Sequence, residues 1–215
     1  MSKHQNQQRL SPEKYIRTRA RTLPVGDCYI NSDWLEAGKA MITVTRVHIN
    51  GNITFGMYLV DLFCLGVKDT MWDFNKSPVE FREFIEMQRN KYTDDVKIVR
   101  SDYVLVHNII YGALEFAEES GFTPHKGFEL SRFILEEDDN RIPLIEIEFG
   151  FKGKPLYISN PVNPREKNRV LSHLKMKAGQ GNYYFITEEE ADDFFRHEED
   201  NTAPDGDSES DAVKY

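Results

Sequence analysis

Residues 58–69 read Tyr58-Leu-Val-Asp-Leu-Phe-Cys-Leu-Gly-Val-Lys-Asp69, an apolar run that contains one carboxylate and ends in charged residues. Such a run is typical of a buried strand. A charge buried without a partner is costly, so Asp61 needs a hydrogen-bonding partner or a functional role. Gly66 predicts that the strand ends with a sharp turn of the backbone. The run therefore predicts a central strand, with Lys68 and Asp69 at its end as a candidate site.

This strand belongs to a predicted hairpin. Two β-rich runs, 40–49 and 53–67, flank Asn50-Gly51. Asn-Gly accepts the positive φ angles of a type I′ turn, which joins antiparallel strands. The first run is mixed, as in a strand with one wet face, whereas the second is almost wholly apolar. We therefore expect a hairpin at residues 40–67 with its second strand at the centre of the sheet.

Helices are predicted on both sides of the hairpin. Ser77-Pro-Val-Glu80 is a capping box that begins one helix, and an apolar stripe with a period of 3.6 residues marks another from 101 to Gly121. Further elements are expected as helices at 11–20, 128–135, 163–177 and 187–197 and as a hairpin of 144–151 with 155–159. Strands and helices cluster rather than alternate, which favours an α+β fold with an antiparallel or mixed sheet.

Charge is spread unevenly over the 215 residues, whose net charge is -9. Residues 1–25 carry a balance of +5 and residues 188–215 a balance of -10, so the middle is also acidic. An acidic middle argues against a broad nucleic-acid surface. We expect a disordered arm at 1–10, a single α+β domain at 11–197 and a disordered acidic tail at 198–215.

The sequence favours a cytoplasmic protein without cofactors. No apolar run approaches the roughly 20 residues of a membrane helix, and the first residues lack the apolar core of a signal peptide. Cys28 and Cys64 lie in apolar segments, so both are expected to be reduced, buried thiols. Two cysteines and scattered histidines make no zinc-ligand spacing, so neither a metal nor a membrane contact is expected.

Five residues are candidates for a catalytic site near the predicted strand end: Asp61, Lys68, Asp69, His107 and His125. Lys68 would hold an anion, and Asp69 or Asp61 would act as a base. A nucleophilic Cys64 would need one of the histidines and a carboxylate such as Glu115. The structural alternative is that Asp61 binds a neighbouring backbone, Cys64 fills a core position, and Lys68 and Asp69 are solvated.

Two other motifs have competing interpretations. Arg17, Arg19 and Arg21 form a basic arm that suits RNA, DNA, an acidic partner or the acidic tail of this chain. Gly179-Gln-Gly-Asn182 follows a predicted helix, whereas a phosphate cradle leads from a strand into a helix. A helix cap with a turn is therefore the better interpretation.

Three segments carry a family resemblance: residues 58–69, Ile110-Tyr-Gly-Ala-Leu-Glu-Phe-Ala-Glu-Glu-Ser-Gly-Phe-Thr-Pro-His125, and Gly179-Gln-Gly-Asn-Tyr-Tyr-Phe185. They resemble an uncharacterised family of bacterial cytosolic proteins, some of which carry a C-terminal SEC-C zinc motif. The resemblance spans about residues 25–187 and implies a bacterial cytosolic module without an assigned activity. The cysteines of the SEC-C motif are absent here, so the resemblance implies no zinc site.

Three functions from different classes stay open. The first is a cytosolic binding or regulatory module that acts through a protein partner. The second is a small hydrolase or transferase with its site where residues 66–69 meet His107 and His125. The third is RNA or ribosome association through the basic arm. Convergence of Asp61, Lys68 and His125 on one pocket would favour the enzyme, and their separation would favour the binding module.

Overall fold

The computed structural model describes residues 10–93, 95–160, 162 and 164–202, and it has the predicted α+β architecture. An antiparallel five-stranded sheet and a small parallel pair are formed by the strands β1 (Val25–Asn31), β2 (Lys39–Val47), β3 (Ile53–Asp61), β4 (Gly66–Lys76), β5 (Ile98–Ser101), β6 (Leu156–Ser159) and β7 (Tyr184–Thr187). The α-helices are α1 (Pro12–Arg19), α2 (Pro78–Arg89), α3 (Tyr103–Glu119), α4 (Phe128–Ser131), α5 (Pro164–Lys177) and α6 (Ala191–Thr202). In the part of the chain so described, no helix is long and apolar enough to cross a membrane.

The large sheet has the strand order β4-β3-β2-β1-β5. Its β2–β3 hairpin is the predicted one: Val47 pairs with Ile53 across the turn, and Gly51 has a φ of +82°. The capping box of α2 is also present, because Glu80 accepts a hydrogen bond from the Ser77 backbone and Ser77 accepts one from the Glu80 N–H. The hairpin and the capping box are therefore confirmed. The turn is not type I′, because Gly51 has a positive φ and Asn50 does not.

The prediction of a single strand through residues 53–67 is wrong. β3 ends at Asp61, residues 62–65 form a turn, and β4 begins at Gly66. The turn is apolar because it is buried: Cys64 packs with Tyr157 and Leu174 beneath α5. The positive φ of Gly66 marks the beginning of β4, so Lys68 and Asp69 lie within this strand and do not follow a strand end.

Both faces of the large sheet carry a helix. On one face, the apolar stripe of α3 packs against residues of β1 to β4 such as Ile42 and Tyr58. On the other face, α2 places Phe81 and Ile85 against Tyr29, Phe55 and Ile98. A third cluster joins the 62–65 turn to α5 and the β6–β7 pair. These contacts of α2 are with β1, β3 and β5, so α2 covers only part of this face of the sheet.

The second predicted hairpin is also wrong. Residues 144–149 form no strand, and the predicted partner, β6, pairs in parallel with β7 instead. Gly179 caps α5 with a φ of +85°, in agreement with the cap interpretation. Helix α6 runs to Thr202, so the predicted boundary at residue 198 falls inside a helix. The arm residues 1–9 and the tail residues 203–215 lie outside the described residues.

Candidate functional site

Lys68 occupies an irregularity of strand β4. Val67 pairs with Val60 and Asp69 pairs with Leu59, so Lys68 is the extra residue of a β-bulge. Bulges redirect side chains and are common next to functional sites. The Lys68 side chain lies between β4 and α5, where its Nζ is 4.0 Å from Oε1 of Glu166.

Two clefts meet at Lys68. The larger, about 500 Å³, is lined by Lys39, Leu59, Lys68, Tyr157, Ile158, Asn160, Val162, Glu166 and Glu188. The smaller, about 240 Å³, is lined by Leu65, Val67, Lys68, Phe122, Thr123, Pro124, His125, Glu166 and Arg169. Nδ1 of His125 lies 3.5 Å from Oδ1 of Asp69. The structure therefore brings Lys68, Asp69 and His125 into one region.

Asp61 is next to this region, but its carboxylate already has a structural role. Oδ1 accepts hydrogen bonds from the N–H groups of Phe63 (3.0 Å) and Cys64 (2.9 Å), which holds the turn between β3 and β4. Burial raises the pKa of Asp61 above its ordinary value, and the nearby positive charges of Lys68 and Lys39 oppose this shift only in part. Asp61 therefore matches the structural interpretation of the run better than the catalytic one.

We expect the replacement Asp61→Asn to change how stability depends on pH. A carboxyl whose pKa is raised by folding destabilises the native state as the pH rises from its ordinary pKa, about 4, through the folded value. Asparagine keeps the accepting oxygen without the charge, so this variant should gain stability relative to the wild type between about pH 4 and pH 7. Urea unfolding at both pH values measures the difference.

Asp61→Ala is the matched control for this experiment. Alanine removes the accepting oxygen and leaves two N–H groups unpaired, which should cost about 2 kcal/mol. A difference between Asp61→Asn and the wild type that stays constant with pH would contradict a raised pKa.

His107 lies outside the Lys68 region. It is 1% exposed on α3, its ring packs on Tyr111 with a centroid distance of 4.5 Å, and burial lowers its pKa. Cys64 is also far from a nucleophilic arrangement, because burial raises the pKa of its thiol. Burial likewise raises the pKa of Cys28 to about 12. Both thiols are buried and reduced, as the sequence predicts.

Two arginines of the basic arm bind the chain's own domain. The guanidinium carbons of Arg17 and Arg21 lie 5.4 and 5.2 Å from the ring centroid of Phe133. Arg21 also donates hydrogen bonds to the Leu135 carbonyl and to Glu137, both at 2.7 Å. Arg19, by contrast, is exposed. The arm is therefore docked on residues 132–137.

One partly exposed apolar surface, which we call the open face, was not predicted from the sequence. It consists of Met41, Met57, Leu59 and Met71, on the side of the sheet opposite α3. Met41 pairs across strands with Leu59, and Met57 pairs with Met71, so the four side chains are contiguous. None of them belongs to the three buried clusters: Met71 is 39% exposed, and Met41, Met57 and Leu59 are half-buried. Three methionines on separate strands give no local signal, because only the strand register brings them together.

The open face continues into the larger cleft, because Leu59 belongs to both. Lys39 and Lys68 stand at this junction. Nζ of Lys39 is 3.9 Å from Oε1 of Glu188, and Nζ of Lys68 is 4.0 Å from Oε1 of Glu166. Both distances are longer than that of a hydrogen bond. The apolar patch thus borders two lysines and, because Asp69 pairs with Leu59, one exposed carboxylate.

Among the described residues, no three His, Cys, Asp or Glu side chains are grouped so that they could hold a metal ion. No family model, curated protein or solved structure matches this chain.

Proposed function

We propose that the chain is a protein-binding module whose partner docks on the open face. The observation that carries this proposal is the contiguous, partly exposed patch of Met41, Met57, Leu59 and Met71. Apolar patches with polar rims mark interaction surfaces in soluble proteins. Methionine suits such a surface because its flexible, polarisable side chain adapts to the shape of a partner.

The adjoining lysines indicate the chemistry of the partner. In the described part of the chain, the ion pairs of Lys39 and Lys68 are long contacts to glutamates, and both lysines also lie near the carboxyl of Asp61. Such long ion pairs are weak, so an acidic group of a partner can compete for the two lysines. A protein segment that places apolar side chains on the open face and a carboxylate in the larger cleft is complementary to both parts. We therefore expect the partner segment to be apolar with adjoining Asp or Glu residues.

The convergence of Lys68, Asp69 and His125 supports the second candidate, a small hydrolase or transferase. We rank it below binding for two reasons. The Asp61 carboxylate accepts bonds within its own turn, and the thiol of Cys64 has a raised pKa. RNA or ribosome association through the arm ranks third, because Arg17 and Arg21 contact the domain.

A peptide selection tests the proposal. We expect phage-displayed random peptides selected on the wild-type protein to be enriched in apolar residues next to Asp or Glu. The double variant Met57→Lys/Met71→Lys should bind the selected peptides at least about tenfold more weakly, because a charge replaces an apolar contact on the open face.

The matched control is Met87→Lys/Met176→Lys, which makes the same changes at methionines that are 50% and 70% exposed on α2 and α5. This variant should bind like the wild type. Equal weakening in both variants, or selected peptides without acidic residues, would contradict the proposal.

A further inference from the structure

Residues 144–149 have the sequence of a strand but no strand partner in the described part of the chain. Ile145, Ile147 and Phe149 alternate with Glu146 and Glu148, a pattern that favours β structure. Their predicted partner, β6, is instead paired with β7. The segment is therefore β-prone and left outside both sheets.

Helix α3 holds this segment in place. Nδ2 of Asn108 donates to the Pro143 carbonyl (2.9 Å), and its Oδ1 accepts from the Ile145 N–H (3.0 Å). A residue in a neighbouring parallel strand makes the same two contacts, so the amide of Asn108 acts as a short substitute for a strand. Further along α3, the ring of Phe149 lies against Gly112, where a Cβ atom would come within 2.4 Å of it.

The far end of the segment is also anchored, because the Gly150 N–H donates to the Leu62 carbonyl at 2.9 Å. Between the anchors, one edge of the backbone stays unpaired. In an extended chain, the N–H and C=O groups of every second residue point to the same edge. Asn108 binds the edge formed by the backbone groups of residues 143 and 145. No hydrogen bond from the described residues reaches the backbone of Leu144, Glu146 or Glu148 on the opposite edge.

We propose that this edge accepts an extended strand from a partner protein by β-augmentation. An unpaired row of backbone groups is a ready template for such pairing. The surrounding side chains are accessible: Leu144 is 91% exposed, and Glu146 and Glu148 are also exposed. The edge is held on α3, on the side of the sheet opposite the open face, so this proposal does not depend on the proposed function.

The charges of this segment indicate which residues the partner strand carries. Neither Glu146 nor Glu148 has an ion-pair partner among the described residues, so a strand with Lys or Arg opposite them is complementary. A second copy of this chain is a poor partner. Opposite residues of paired strands share a face, so the antiparallel self-pairings centred on Glu146 or Ile147, which pair most of residues 144–149, set glutamate against glutamate. The partner strand therefore alternates basic and apolar residues.

The test uses the full chain and an acetylated six-residue peptide that alternates lysine and valine. Hydrogen exchange should slow at residues 144–149 when the peptide binds. A peptide N-methylated at every second residue cannot pair its backbone and should not bind. The variant Glu146→Lys/Glu148→Lys should weaken binding at least about tenfold and should gain binding to a peptide that alternates glutamate and valine.

The control is Glu118→Lys/Glu119→Lys, the same charge change at exposed positions of α3, which should leave binding unchanged. Equal thermal unfolding of all forms verifies that they are folded. Equal binding of the N-methylated peptide, equal loss in the control variant, protection elsewhere in the chain, or no binding would overturn the proposal. Sedimentation that shows a wild-type dimer dissociated by the peptide would also overturn it, in favour of a second copy.

Discussion

Replacing Glu136 with glutamine should lower the free energy of unfolding by about 3 kcal/mol, because it leaves the buried guanidinium of Arg46 without its counter-charge. Arg46 is 1% exposed, and its Nη1 lies 2.7 Å from Oε1 of Glu136. Arg46 also donates to the carbonyls of Ile134 and Leu23. In the described part of the chain, its Nη2 has no hydrogen-bond partner, so no other group takes over from Glu136.

Urea unfolding of Glu136→Gln measures this loss. Glu137→Gln is the matched control, because Glu137 pairs with Arg21 at the same distance but has a side chain that is 62% exposed. An exposed pair contributes little, so this control should lose less than about 1 kcal/mol. Equal losses in the two variants would show that solvent screens the Arg46 charge, contrary to the buried ion pair described here.

The second large effect is expected at Gly66, where alanine should cost about 3 kcal/mol. Gly66 has a φ of +64°, a conformation that costs other residues about 1–2 kcal/mol. An added Cβ would lie 2.9 Å from Cβ of Ala117 and 3.0 Å from the carbonyl oxygen of Ala113, so α3 would have to move. Such overpacking adds about 1–3 kcal/mol.

Gly51→Ala separates the two contributions. Gly51 has a φ of +82°, but a Cβ there would meet nothing within 4 Å, so only the conformational cost of about 1 kcal/mol applies. The unfolding free energies of both variants give the comparison. A loss at Gly66 no larger than that at Gly51 would show that α3 is not closely packed on the beginning of β4.

Local chemistry made much of this fold predictable. Ser77 and Glu80 satisfy each other's backbone groups within four residues. Asn50-Gly51 joins β2 to β3 as expected, although not in a type I′ turn. The hydrophobic period of α3 is equally local. These elements form where expected, because the forces that define them act between near neighbours in the chain.

The features that were missed depend on distant contacts. In the sequence, the apolar residues 62–65 look like the continuation of a strand. They form a turn, and a turn can be apolar here because α5 buries it. Arg46 resembles a surface residue of β2, because its partners Ile134 and Glu136 lie about 90 positions away. Residues 144–149 do have strand chemistry, but a strand also needs a partner, and the chain pairs β6 elsewhere.

The candidate site was predictable to a similar extent. Lys68, Asp69 and His125 do lie together, but a bulge in β4 aims Lys68, and no sequence pattern predicts that bulge. His107 was wrongly included in the candidate site, because a histidine one position from an apolar stripe is compatible with either a core or a cleft. The open face depends on the register of three strands, which links residues up to 30 positions apart.

The most direct test of the open face as a docking surface is a methyl NMR titration with methionine methyl groups labelled with carbon-13. The chain has six methionines, and three of them, Met41, Met57 and Met71, are on the open face. Addition of a selected peptide should shift these three methyl signals and leave those of Met87 and Met176 in place. Shifts confined to Met87 or Met176, or no shift at the open face on saturation with peptide, would contradict the account.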